Sequence, residues 1–253
     1  MLPRTPSYRL DGKRAVVIGG SRGIGLGCAV ALAEQGASVV IVARSKGQVF
    51  ETVNEMKSEG FSVSGAPMDV SIIDNVKNLM GEYSDIDILV NSAGIARHTP
   101  TVDTTELDFD DVMSVNVRSA YFLAQSAAKQ MISKGTGGSI IQISSQMAHV
   151  GGIDRAVYCG TKHAIEGINK SMAIEFGPYK IRVNSICPTF IRTPFTEPTF
   201  KDPEKVKWIE SKIKVGRVGE VEDIMGAVKF LASDVSAMVT GSSILIDGGW
   251  TAG

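Results

Sequence analysis

The chain has 253 residues, of which 43% are hydrophobic, 26 basic and 27 acidic, enough apolar mass for one large core. Charges of both signs nearly cancel and no Lys/Arg block occurs, which argues against nucleic acid or an anionic lipid surface as a partner. No stretch is long and apolar enough for a membrane span or a signal peptide, so the expectation is a single globular unit, residues 1–253, in the cytoplasm.

The first element reads as a strand, RAVVI (14–18), followed by GGSRGIGLG (19–27) and an amphipathic segment over 24–35. Glycines at 19, 23 and 25 between a strand and a helix are what a phosphate-binding turn requires. Without a Cβ, backbone N–H groups and the helix N-terminus can approach a pyrophosphate. Gly19, Ser21, Arg22, Gly23, Ile24 and Gly25 are therefore candidate cofactor residues. The second strand, SVVIVA (38–43), ends in VARS (42–45). An acidic residue here would bind the ribose 2′-hydroxyl of NAD, but the chain has Ala43 and then Arg44. Arg44 with Arg22 suits the 2′-phosphate of NADP through charge-assisted bonds. The alternative is NAD held by backbone and Ser45 contacts, with both arginines solvated.

The third strand, FSVSGAPM (61–68), leads into MDV (68–70), where Asp69 and Val70 would meet the adenine. The fourth, IDILV (86–90), leads into NSAG (91–94), where Asn91, Ala93 and Gly94 let the backbone pass close to the ribose. Ligands of open parallel sheets lie at these carboxyl ends. A long helix over 109–133 carries Asn116, read either as ordering a water or as bonding between helices. The fifth strand, SIIQIS (139–144), runs into Ser145, and thirteen residues later Tyr158 and Lys162 stand four apart at the start of a helix over 157–176. Residues at that spacing share a face. A nearby ammonium is expected to lower the phenol pKa from about 10 and make Tyr158 a usable acid and base, while the Ser145 hydroxyl polarises the same oxygen.

The sixth strand, IRVNSI (181–186), is followed by a Pro-rich excursion over 188–220 with a short helical pattern in its middle. Long excursions of this kind are usually lids or binding loops, and this one is expected to cover the substrate. A helix over 221–233 and a seventh strand, SILID (243–247), close the chain. Strands alternating with helices predict an α/β fold with a seven-stranded parallel sheet. Cys28, Cys159 and Cys187 are too few and too scattered for a disulfide framework or zinc knot. No His/Asp/Glu cluster calls for a metal in the chemistry.

Together these ordered motifs resemble the short-chain dehydrogenase/reductase family over nearly the whole chain. GGSRGIG stands for its glycine signature and NSAG for N-N-A-G, while Asn116, Ser145, Tyr158 and Lys162 match its catalytic tetrad. IRVNSICPTFIRTP (181–194) matches its P-G-x-x-x-T segment, and DGGWTAG (247–253) its C-terminus. The resemblance implies a single-domain Rossmann-type doubly wound fold and an NAD(P)-dependent interconversion of a secondary alcohol and a ketone. It also implies that Pro188 and Thr193 lie beside the nicotinamide, and that the protein is a homotetramer or dimer, with a paralogous partner subunit as the alternative. Ile18, Ser92 and Thr189 depart from the family pattern at supporting positions. The substrate pocket is expected to include Ser145, Met147, His149, Gly152, Arg155, Tyr158, Phe190, Phe195 and Trp208. It would suit a 3-hydroxyacyl compound, with His149 and Arg155 on its anionic part, or a cyclic or polyol-type alcohol. His98 reads as loop surface. A second class of reading is a nucleotide-binding relative without turnover, acting as a sensor or partner subunit.

Overall fold

The computed structural model describes residues 2–253. Seven parallel strands form one sheet in the order β3-β2-β1-β4-β5-β6-β7. They are β1 (Arg14–Ile18), β2 (Ser38–Ala43), β3 (Val63–Pro67), β4 (Ile88–Asn91), β5 (Gly138–Ile143), β6 (Ile181–Pro188) and β7 (Ser243–Ile246). The order reverses direction between β1 and β4, and an open parallel sheet binds its ligands at such a switch point. Register is continuous across it, with Val17 opposite both Ile41 and Val90.

Strand residues alternate between two cores, as a two-residue side-chain period demands. Ala15 and Val17 join α1 (Gly23–Glu34), α2 (Lys46–Ser58) and α9 (Glu222–Ala232) on one face. Val16 and Ile18 join α3 (Ile73–Glu82) and α5 (Ser119–Lys134), with Met172 and Ala173 of α6 (Ala156–Phe176), on the other. Full burial of side chains such as Leu32 or Leu123 contributes about 2 kcal/mol each. The three cysteines are free and buried. No helix among the described residues is long and apolar enough to cross a membrane.

Two departures from the expected elements bear on function. The helix expected over 109–133 consists of α4 (Glu106–Met113) and α5, joined by a π-helical turn over Ser114–Arg118. The wider turn rotates the intervening side chains relative to a straight helix, and such turns recur at functional sites. Residues 188–220 carry α7 (Glu197–Phe200) and α8 (Pro203–Lys212). Asp202 caps α8 by accepting from the Glu204 and Lys205 amides, and Pro203 occupies the first turn, where its missing N–H costs nothing. The segment packs on a satellite core of Phe190, Ile209, Ile213 and Val218, separate from both main cores.

Candidate active site

The carboxyl ends of the strands open onto one cleft of about 940 Å³, which runs from the glycine turn to the start of α6. Backbone groups hold the glycine turn. Gly19 and Gly20 N–H groups donate to the Val42 carbonyl of β2 at 2.7 and 3.3 Å, and the Ser92 amide donates to Ile18 at 2.9 Å. These bonds tie the turn to its neighbours even though Ile18 offers no hydroxyl. A methyl on Gly25 would stand 2.1 Å from the Gly19 carbonyl oxygen, and one on Gly19, at φ +75°, would stand 3.0 Å from the Ser92 carbonyl carbon. Side chains there are excluded by backbone as well as by any ligand.

At the head of α1, Arg22 is extended and makes no capping bond, and no acidic residue occupies the first turn. The first amides are thus left facing the cleft, where the helix dipole favours an anion. Arg22, Arg44 and Ser45 line the rim. Asp69 lies beyond, its Oδ1 accepting from the Ser71 amide and hydroxyl at 2.9 and 2.7 Å. Burial pushes its carboxyl up, but those bonds and the Arg44 charge outweigh it and hold the group below its ordinary value. A phosphate-accepting turn, an uncapped helix head and two rim guanidiniums fit a dinucleotide. Val70, Ala93, Gly94, Pro188 and Thr193 line the same cleft. Asn91 stands behind it: its amide donates to Gln142 Oε1 at 2.8 Å and its oxygen accepts from the Ala93 amide at 3.2 Å, shaping the turn from beneath.

Tyr158 and Lys162 lie one turn apart on α6 and both face the cleft. The ammonium is 5.6 Å from the Tyr158 ring centroid and donates to the Ile143 carbonyl at 3.0 Å, which leaves two of its three protons uncommitted. The expected acidification of the phenol is not found. Burial pushes Tyr158 above its ordinary value, while the neighbouring Ser145 hydroxyl and the positive field of Arg155 pull it back only in part. Lys162, buried, is itself lowered to about 8 because its charge is desolvated. Ser145 follows β5 in extended backbone and its Oγ accepts from the Met147 amide at 3.1 Å.

Asn116, in the π-helical turn, spends its amide on protein. Oδ1 accepts from the Ile95 amide at 2.8 Å, and Nδ2 donates to the Ile95 carbonyl at 2.9 Å and to Thr161 Oγ1 at 3.2 Å. It pins the loop following Gly94 to α6, so ordering a water falls to the one lone pair left on Oδ1. A Cβ on Gly94 would sit 3.5 Å from that oxygen and 3.8 Å from Lys162 Nζ.

Of the expected pocket residues, Met147, Arg155, Phe190 and Phe195 line the cleft. Arg155 lies over the Phe190 ring, 5.3 Å from its centroid. Three do not line it. Trp208 packs edge-on against Trp250 at 5.5 Å, because α8 turns that face toward the C-terminus. Gly152 backs onto Met147 and Arg155 from behind. His149 points instead toward Glu166 and Cys187. His98 is exposed, as expected of a loop residue, yet it also lines the cleft, edge-on to Tyr158 with centroids 6.2 Å apart. Burial and the Arg155 charge lower its pKa.

The sequence marks Thr189 only as a departure from the family pattern, and it ranks Ser144 behind Ser145. Both line the cleft, as does Gln146, and all three carry buried polar atoms with no partner in the protein. Gln146 follows Ser145 in the stretch expected to wall the pocket, whereas only the unsatisfied geometry identifies Ser144 and Thr189, since hydroxyl residues are common in loops.

Comparison with known proteins gives concordant results. The family model described as enoyl-(acyl carrier protein) reductase matches residues 18–251. L-xylulose reductase of Bos taurus is 37% identical, over 96% of this chain and 98% of that protein. Gluconate 5-dehydrogenase of Gluconobacter oxydans is 36% identical, over 96% of each. Among solved structures, a gluconate 5-dehydrogenase from Burkholderia cenocepacia in complex with NADP and tartrate superposes with a TM-score of 0.94 at 34% identity, covering 97% of this chain and 98% of that one.

Proposed function

The chain belongs to the short-chain dehydrogenase/reductase family and is an NAD(P)-dependent oxidoreductase interconverting a secondary alcohol and a ketone; from that premise we propose that it acts on a polyhydroxy acid or polyol, prefers NADP and uses Tyr158 as its acid and base. The carrying observation is the cluster of unpartnered buried polar atoms on Ser144, Gln146 and Thr189 beside Ser145, with the Arg155 guanidinium on the same cleft. Unsatisfied buried polar groups cost free energy until a ligand pairs them. A chain of hydroxyls offers donors and acceptors to each, and a carboxylate pairs with Arg155. An acyl chain offers neither. The bovine relative's name specifies a sugar, and the Burkholderia structure holds a hydroxylated dicarboxylate.

When bound, the nicotinamide dinucleotide supplies or accepts the hydride. In ketone reduction the Tyr158 phenol gives its proton to the substrate oxygen, and Ser145 donates a hydrogen bond to that oxygen as negative charge develops. The phenolate left behind is held by the free protons of Lys162 until it is reprotonated. Oxidation runs the same transfers backward. Asn116 acts as a positioning residue, fixing the loop at Ile95 against α6. Glycines 19, 23 and 25, with Ser21 and Ile24, hold the pyrophosphate. Arg22 and Arg44 take the 2′-phosphate, with Ser45 beside them. Asp69 and Val70 flank the adenine, while Pro188 and Thr193 stand by the nicotinamide. The 188–220 segment covers the substrate, and chains associate as dimers or tetramers.

A panel of aldonates, polyols and 3-hydroxyacyl thioesters, each with NADP and with NAD and followed by reduced-nicotinamide absorbance, tests the assignment. Turnover of polyhydroxy substrates with NADP is expected. Turnover of the thioesters alone would overturn the substrate reading and leave the family chemistry intact.

A further inference from the structure

Glu166, one turn beyond Lys162 on α6, is a buried carboxylate with its two oxygens used differently. Oε2 accepts from Ser185 Oγ of β6 at 2.7 Å and from Ser243 Oγ of β7. Oε1 faces only the Cys187 thiol, at 3.6 Å. His149, from the loop after β5, brings a ring nitrogen to the same point, and the three ligand atoms lie within 4.8 Å of one another. Glu166 and Cys187 are buried and His149 is exposed.

We propose that His149 nitrogen, Glu166 Oε1 and Cys187 Sγ form a three-ligand site for a zinc-type divalent cation, separate from the cofactor cleft. Ligand oxygen and sulfur held tetrahedrally at about 2.1 and 2.3 Å from zinc stand roughly 3.6 Å apart. That is the separation the carboxylate and thiol already have. A thiolate, an imidazole and one carboxylate oxygen form a donor set that favours zinc over the hard ions magnesium and calcium. The surrounding shell supports it: Ser185 and Ser243 orient the carboxylate from behind. On binding, a metal–sulfur bond replaces the S–H bond and the proton leaves to water, while the fourth position opens on the exposed side of His149. No electron is transferred. Loading would clamp the Ser145 loop, α6 and β6 together.

The test uses the full-length protein, stripped with a chelator and titrated with cobalt(II) as the spectroscopic probe. One equivalent is expected to give a near-ultraviolet thiolate-to-metal band, which zinc then erases by displacement. Cys187→Ser should abolish the band. His149→Ala, at an exposed position, should weaken binding at least ~10-fold while its thermal midpoint without metal is unchanged. If Cys187→Ser does not fold, the His149→Ala titration alone decides. The proposal is overturned by the absence of a thiolate band in the wild-type protein, by a band that survives Cys187→Ser, or by equal affinity in His149→Ala.

Discussion

The glycine turn and the 188–220 segment face each other across one cleft but are held in different ways. The turn is fixed by main-chain bonds from Gly19, Gly20 and Ser92 to adjacent strands, and its side-chain space is closed by backbone atoms. The opposite wall depends on side chains: a four-residue satellite core, the Arg217–Asp223 pair at 2.7 Å and the partly exposed Arg192–Glu220 pair at 3.2 Å. Backbone-defined sites respond to substitution abruptly, because strand atoms cannot give way. Side-chain-defined sites respond by degrees, since exposed pairs contribute little and small cores repack. Substitution is thus refused on one wall and tolerated on the other.

Five substitutions would break or sharpen this contrast. Tyr158→Phe, at the junction of the two walls, should lower kcat roughly a thousandfold or more. Nucleotide affinity, read by calorimetry, should stay near wild type, and an active variant would remove the phenol from the mechanism. On the rigid wall, Gly25→Ala should weaken nucleotide binding up to ~100-fold, as backbone overpacking costs about 3 kcal/mol. On the adaptable wall, Arg155→Met should raise KM for an acidic substrate by ~30-fold with little change for a neutral polyol, the worth of one charged hydrogen bond. Equal losses on both substrates would mean that Arg155 only props Phe190. Arg44→Ala, at the exposed rim, should raise KM for NADP about tenfold and leave that for NAD unchanged.

The smallest effect concerns stability. Lys162 titrates near 10.5 when unfolded and about 8 when folded. Below pH 8 both states are protonated and the native state bears the full cost of the desolvated charge. Between about 8 and 10.5 only the unfolded state keeps the proton, so this contribution to stability improves as pH rises. Lys162→Met is therefore expected to raise the cofactor-free thermal midpoint by a few degrees at pH 7, with the gain fading by pH 10.5. A gain independent of pH would assign it to packing.

The fold was legible because its signals are local. Val- and Ile-rich strands with two-residue alternation located β1 and β2 to the residue, and the glycine turn lay where strand-to-helix order put it. Tyr158 and Lys162 share a face because the helix period requires it. What escaped was tertiary. Nothing in SVNVR marks a π-helical turn, which depends on how α4 and α5 dock. His149 and Cys187 are 38 positions apart in a chain whose β5–β6 pairing alone brings their segments together. The expected acidic shift of Tyr158 failed for a related reason: spacing supplies the neighbouring charge but says nothing of the desolvation that opposes it.

The two tryptophans of the chain, Trp208 on α8 and Trp250 near the C-terminus, lie against each other, and Phe190 packs on Trp250. All intrinsic indole emission therefore originates in the adaptable wall, and none in the rigid one. Ligand titrations followed by fluorescence would watch that wall alone, with no label attached. Any rearrangement of that wall on ligand addition could then be timed in a stopped-flow trace.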